Sequence, residues 1–177
     1  MATKKPTNKI HPHLWYNDQA REAAEFYCSI FPDSKIERIS TLPSDSPSGP
    51  AGSVEVVEFT LFGQPFMAMS AGPLDDFNHS ISFMVNCDDQ AELDRYWNAL
   101  LEAGGKPEQC GWICDQYGLR WQIVPAPLQE MMSDSDRDKA QRVSDRMLKM
   151  EKFDFAELQA AFDNEPDNEK VGAGNRH

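Results

Sequence analysis

The stretch HSISFMVNCDDQAELDRYWNALL, residues 79–101, decides the fold, because it restarts a pattern that the chain has already run through once. His79 to Cys87 reads as a strand, with Ile81, Phe83 and Val85 on the side of His79 and Ser80 on the other. Asp89, with Glu92 three residues later, makes a capping-box-like helix start. Leu93, Tyr96, Trp97, Leu100 and Leu101 then recur at helical spacing until Gly104-Gly105 stops them. Three short strands follow, Pro107 to Cys110, Trp112 to Asp115 and Leu119 to Val124, the last two joined through Gln116-Tyr117-Gly118.

The same order stands upstream. Lys9 to Tyr16 alternates, with Ile10, Pro12, Leu14 and Tyr16 on one face and His11, His13 and Trp15 on the other. Asp18 is placed to cap a helix whose apolar positions run from Ala20 to Phe31, and Pro32 ends it. Ser34 to Thr41, Val54 to Phe62 and Phe66 to Ser70 read as strands, the last two joined by a hairpin turn at Gly63-Gln64-Pro65. Between the first two lies Pro43 to Gly52, a run that no regular element tolerates and that is either a lid or connecting slack.

The expected fold is therefore α+β: two βαβββ modules, residues 9–70 and 79–125, forming a concave mixed-sheet cup within a domain of residues 9–126. An extension, 1–8, precedes it. A helical extension, 127–162, follows, with Asp134 or Ser135 capping a helix through Met150 and a shorter helix from Asp154 to Phe162. A polar tail, 163–177, is expected to be disordered. The cup is the default ligand site.

A net charge of -12 argues against a partner such as nucleic acid, whose binders cluster Lys and Arg on phosphates. No signal peptide or membrane-spanning run is legible, so the expected location is cytoplasmic. Cys28, Cys87, Cys110 and Cys114 lack zinc-site spacing and read as small buried hydrophobes of a reducing compartment.

Several stretches carry a family likeness. Leu14-Trp15-Tyr16, Ala23-Ala24-Glu25-Phe26-Tyr27 and Phe31-Pro32-Asp33-Ser34 resemble the opening of PhnB-like proteins, the branch labelled 3-demethylubiquinone-9 3-methyltransferase. Val57-Glu58-Phe59 through Met67-Ala68, Asp94-Arg95-Tyr96-Trp97, Cys110-Gly111-Trp112, Tyr117-Gly118 and Trp121 to Pro125 resemble its later elements. Lys139-Ala140-Gln141-Arg142 and Met147 to Met150 resemble its tail. The resemblance implies the vicinal-oxygen-chelate fold of glyoxalases, bleomycin-resistance proteins and dioxygenases, and a homodimer. It also implies that members with chemistry hold a divalent metal, such as zinc, nickel or manganese, at the base of the cup. Fold alone does not choose among these activities.

Carried onto this chain, the metal pattern selects His11, which the alternation also puts on the concave face. In the second module spacing selects His79, whereas the strand's parity selects Ser80. The last position is Gln122, where metal-dependent relatives have glutamate; an amide binds a divalent cation less well than a carboxylate. His13, beside His11, is a candidate acid, base or orienting group, and Glu58 a candidate internal base.

Trp15 is a candidate pocket wall, whereas Trp121 alternates into the core. Met67 and Met69 share a face suited to a pocket wall or to core filling. Arg120, on the face of Gln122, suits a carboxylate or phosphonate, or else a surface or dimer contact. The competing functions are a metal-assisted enzyme on a small oxygenated molecule and a metal-free protein that sequesters a small-molecule ligand. A literal methyltransferase is disfavoured, because no glycine-rich loop follows a strand to hold an adenosyl cofactor.

Overall fold

The computed structural model describes residues 9–164, so the calls on residues 1–8 and on most of the tail lie outside the described residues. The chain divides into two compact units between Asp76 and Phe77. In the first, β1 (His13–Tyr16), α1 (Ala20–Ile30), β2 (Lys35–Thr41), β3 (Glu55–Leu61) and β4 (Gln64–Ser70) give a sheet of order β1-β4-β3-β2. The β1–β4 pair is parallel and the others are antiparallel.

Alternation sets what this sheet buries. Leu14, Tyr16, Val57, Phe59, Leu61, Phe66 and Ala68 are buried, as are Ala20, Ala23, Ala24 and Tyr27 on α1. Small residues on α1 let helix and sheet approach closely, and each large side chain removed from water contributes roughly 1.5–3 kcal/mol. The opposite sheet face carries His13, Trp15, Met67 and Met69 and remains partly exposed.

Two local expectations are corrected. The residue at the start of α1 is Gln19, not Asp18, and no side chain caps it; the Ala20 N–H instead donates to Ser70 Oγ at 3.0 Å, a hydroxyl delivered by the end of β4. The hairpin turns one residue earlier than its glycine and proline suggested. Leu61 pairs with Gln64, and Phe62 and Gly63 both take positive φ, 50° and 70°, as a two-residue turn matched to strand twist requires. The 43–52 segment is tied at its base by Gly52 N–H to Leu42 O, 2.8 Å, and inside by Ala51 N–H to Asp45 Oδ1, 2.8 Å.

The second unit runs β5 (Phe83–Cys87), α2 (Gln90–Glu102), β6 (Lys106–Pro107), β7 (Trp112–Cys114), β8 (Arg120–Pro125), α3 (Leu128–Met132), α4 (Arg137–Met147) and α5 (Phe155–Asp163), with sheet order β5-β8-β7-β6. The α2 start is as read: Asp89 Oδ1 accepts the Glu92 N–H at 2.8 Å, while Glu92 Oε2 accepts that of Asp88. Strand β5 begins only at Phe83, because its parallel partner β8 ends its pairing there with Trp121. His79 and Ser80 instead form a turn, closed by the Ser80 N–H to Asn78 Oδ1. Asp136, not Asp134 or Ser135, caps α4, and that helix ends at Met147; the Asp134 carboxylate is spent on the Asp136 N–H. Helix α3 was not foreseen. The shorter helix expected from Asp154 to Phe162 is α5, with Asp154 as its cap. No helix among the described residues is long and apolar enough to cross a membrane.

Cys87 is wholly buried at the end of β5, and burial pushes its thiol up to about 12, as it pushes Cys28 up to about 11. A thiol whose pKa is raised by folding adds stability that is whole below its unfolded value of 9.0 and is lost as pH climbs through the folded value. Urea midpoints should therefore fall between pH 9.0 and about 12, and Cys87→Ala should flatten that fall. Parallel profiles for the two proteins would count against this coupling.

Candidate functional site

Within the second unit, α2 covers one sheet face, where Val85, Cys87, Ile113, Trp121 and Ile123 are buried. The other face presents Met84 and Asn86 from β5, Gln122 and Val124 from β8 and Trp112 from β7, with Met84, Gln122 and Trp112 in one lateral row. Against this face lies a cavity of about 220 Å³, closed by Cys110, Pro125, Leu128 and Gln129, Met132, Met147 and Phe153. Backbone pairing places the last wall: Cys110 N–H donates to Met150 O and Gly111 N–H to Glu151 O, both at 2.8 Å, which brings the 150–153 segment onto the entry of β7. Gln90 holds it from the other side, accepting the Phe155 N–H at 2.9 Å.

Of the metal and polar pocket candidates in this half, His79, Arg120 and Gln122, only Gln122 lines the cavity, beside Trp112 and Cys110. Its Nε2 donates to Ser82 Oγ at 2.7 Å. His79 lies outside the lining, its Nε2 2.9 Å from Glu108 Oε2 and its ring 6.0 Å from that of Trp112. Arg120 is neither a free surface group nor an open anion clamp. Its Nη1 donates to Phe77 O at 2.9 Å and Gly118 O at 2.8 Å, and its Nε lies 3.8 Å from Glu108 Oε1. Trp121 is buried and donates its indole N–H to Asp115 Oδ2 at 2.9 Å.

The first unit collects its candidates on the open face. His13, Met67, Glu58 and Arg38 form one register row, and Trp15, Met69, Val56 and Ser40 the next. Met67 and Met69 thus lie opposite the core that Phe66 and Ala68 enter. Trp15 is fixed by its indole N–H to Gly72 O at 2.8 Å. Glu58 is engaged by the Arg38 guanidinium, whose Nε donates to Oε1 at 3.1 Å; this raises Arg38's pKa and ties up the proposed internal base. His11 is exposed and precedes β1, although the ladder continues as far as Pro12 O, which accepts the Met67 N–H.

Comparison with known proteins identifies the family. A family model described as 3-demethylubiquinone-9 3-methyltransferase matches residues 8–124. The chain belongs to that family. The PhnB protein of Bacillus cereus is 31% identical over 65% of this chain and 97% of its own length, with a TM-score of 0.55. FosX of Listeria monocytogenes, a fosfomycin resistance protein, is 16% identical over 73% of this chain and 99% of its own, with a TM-score of 0.51, and shares the fold. No curated protein matches the chain. Within the vicinal-oxygen-chelate superfamily, this 3-demethylubiquinone-9 3-methyltransferase family member has the two βαβββ modules expected of it.

The family resemblance implies a divalent metal in members with chemistry, which raises the question of whether the residues here fit one. The two donors that the second unit contributes do not fit one. Gln122 is a neutral amide held by Ser82, and His79 lies outside the cavity that Gln122 lines, paired with a carboxylate that also faces Arg120. A guanidinium beside the carboxylate opposes a second cation. Sequence reading missed Ser82, Met84, Asn86, Gln129 and Phe153. Parity along β5 was available for the first three, whereas the last two belong to segments whose docking no local pattern announces.

Proposed function

We propose that this protein binds a small organic molecule in the cavity on the open face of the second sheet, without a divalent metal held by His11, His79 and Gln122. One observation carries the reading: among the described residues the cavity is walled by apolar, thioether, thiol and amide side chains and by no carboxylate or imidazole. Such concave, mostly apolar sites with a few placed polar groups are the usual form of ligand pockets. The methyltransferase wording of the family description is not adopted, because the mixed sheets are not the doubly wound kind that cradles a dinucleotide or adenosyl group. Assembly as a homodimer, as the family resemblance implies, belongs to the same reading.

The eight methionines supply the test. Full-length protein carrying 13C-methyl methionine, stripped with EDTA, is screened by NMR against small ring compounds. The expected result is shifts at Met84, Met132 and Met147 that persist without metal. Shifts confined to Met67 and Met69, or appearing only after zinc, nickel or manganese is restored, would instead favour a metal-assisted enzyme with His11 as ligand and His13 as acid or base.

A further inference from the structure

The polar groups of the same cavity narrow what it accepts. Its walls hold three amides, Asn86, Gln122 and Gln129, together with the rings of Trp112 and Phe153, and, among the described residues, no charged side chain. Arg120, on the same sheet face two residues before Gln122, is kept from the cavity by the carbonyls of Phe77 and Gly118 and by its proximity to Glu108. Ser82 takes the nitrogen of Gln122, which leaves the amide oxygen as an acceptor.

We propose that the ligand is an uncharged, flat one- or two-ring molecule with a hydrogen-bond donor and acceptor side by side on one edge, as in a carboxamide or lactam. This rests on the reading that the cavity is the binding site. A charged ligand entering it would lose hydration without meeting a countercharge, which is strongly unfavourable. An amide presents both a donor and an acceptor, so it pairs with an edge of the same kind. Aromatic rings and polarizable thioethers favour a flat π surface over a branched aliphatic one. The volume of about 220 Å³ lies below the roughly 300–1,000 Å³ of sites for drug-sized molecules, which limits the ligand to one or two rings.

The test uses matched probes that share one ring: benzamide, benzoate, phenylphosphonate, benzylamine and toluene. Each is titrated into full-length protein while the methyl signals of Met84, Met132 and Met147 are followed. Benzamide should bind at least about tenfold more tightly than each of the three charged probes, the ratio that one well-placed hydrogen bond supplies. Gln122→Leu should remove about tenfold of the benzamide affinity and should not weaken that of toluene. Benzoate or phenylphosphonate binding as tightly as benzamide, with shifts at these methyls, would overturn the ligand class while the cavity stood as the site. No probe shifting these three methyls would overturn the site, and the ligand class with it.

Discussion

Asp115→Ala should destabilise the protein by about 4 kcal/mol, because it strands several buried donors at once. Asp115 is the only buried acidic or basic residue among those described, 4% exposed. Its Oδ1 accepts the backbone N–H groups of Tyr117 at 2.9 Å and Leu119 at 3.0 Å, and its Oδ2 accepts the indole N–H of Trp121 at 2.9 Å. The main chain closes the same turn, with Asp115 N–H to Leu119 O and Gly118 N–H to Asp115 O. The carboxylate thus fixes the β7–β8 connection and locks Trp121 into the core, which sets the register that turns Gln122 to the opposite face.

Charge as such is not the source of this stability. Burying a carboxylate is unfavourable, and removing it is worse only because its partners are left behind in a dry site. Asp115→Asn keeps one acceptor oxygen and should lose about 1–3 kcal/mol, whereas Trp121→Phe in that background should recover part of the loss. Urea denaturation of the wild type, Asp115→Asn, Trp121→Phe and the double variant measures the coupling. A loss below about 1 kcal/mol for Asp115→Ala would mean that water satisfies these donors and that the turn is set by its backbone alone.

Asp115 also shows which parts of this molecule its sequence discloses. Features carried by a local period or a local cap are legible: the alternation through Leu14 and Tyr16, the Asp89 and Glu92 pair, and the short helix after Asp154. Where a distant group takes over a local role, the reading slips. Asp18 is a good capping residue by type, yet Ser70, fifty residues away, serves Ala20. His79 to Ser82 has strand composition, yet the β5–β8 ladder starts only at Phe83. The candidate site is less legible still, since Gln122 is held by a serine forty residues away and its cavity is closed by segments that follow β8 in the chain, through Leu128, Gln129, Met132, Met147 and Phe153. The sequence reading found the face but not its roof.

The roof leads to a second large effect, at Gly111. Gly111→Ala should cost about 3–4 kcal/mol through two separable causes. Gly111 has φ of 75°, a left-handed conformation that costs an L-residue about 1–2 kcal/mol. A Cβ there would also lie 2.4 Å from Phe153 Cε2 and 2.8 Å from Ile123 O. The ring can be pushed aside, but the carbonyl belongs to β8, whose Ile123 N–H donates to Gly111 O at 2.8 Å. Close approach of the two backbones is therefore part of the sheet, and overpacking it adds roughly 1–3 kcal/mol.

Gly118 separates the two causes. Its φ is 86°, and an added Cβ would meet nothing within 4 Å, so Gly118→Ala should cost only the conformational part, about 1–2 kcal/mol. Chemical denaturation of both variants gives the steric contribution as the difference. Equal losses would show that Phe153 and the 150–153 segment yield freely, and that the cavity wall is not held as the structure places it. If the wall is held, ligand affinity should follow the steric part alone: weakened in Gly111→Ala, where Phe153 is displaced, and retained in Gly118→Ala at a temperature where both are folded.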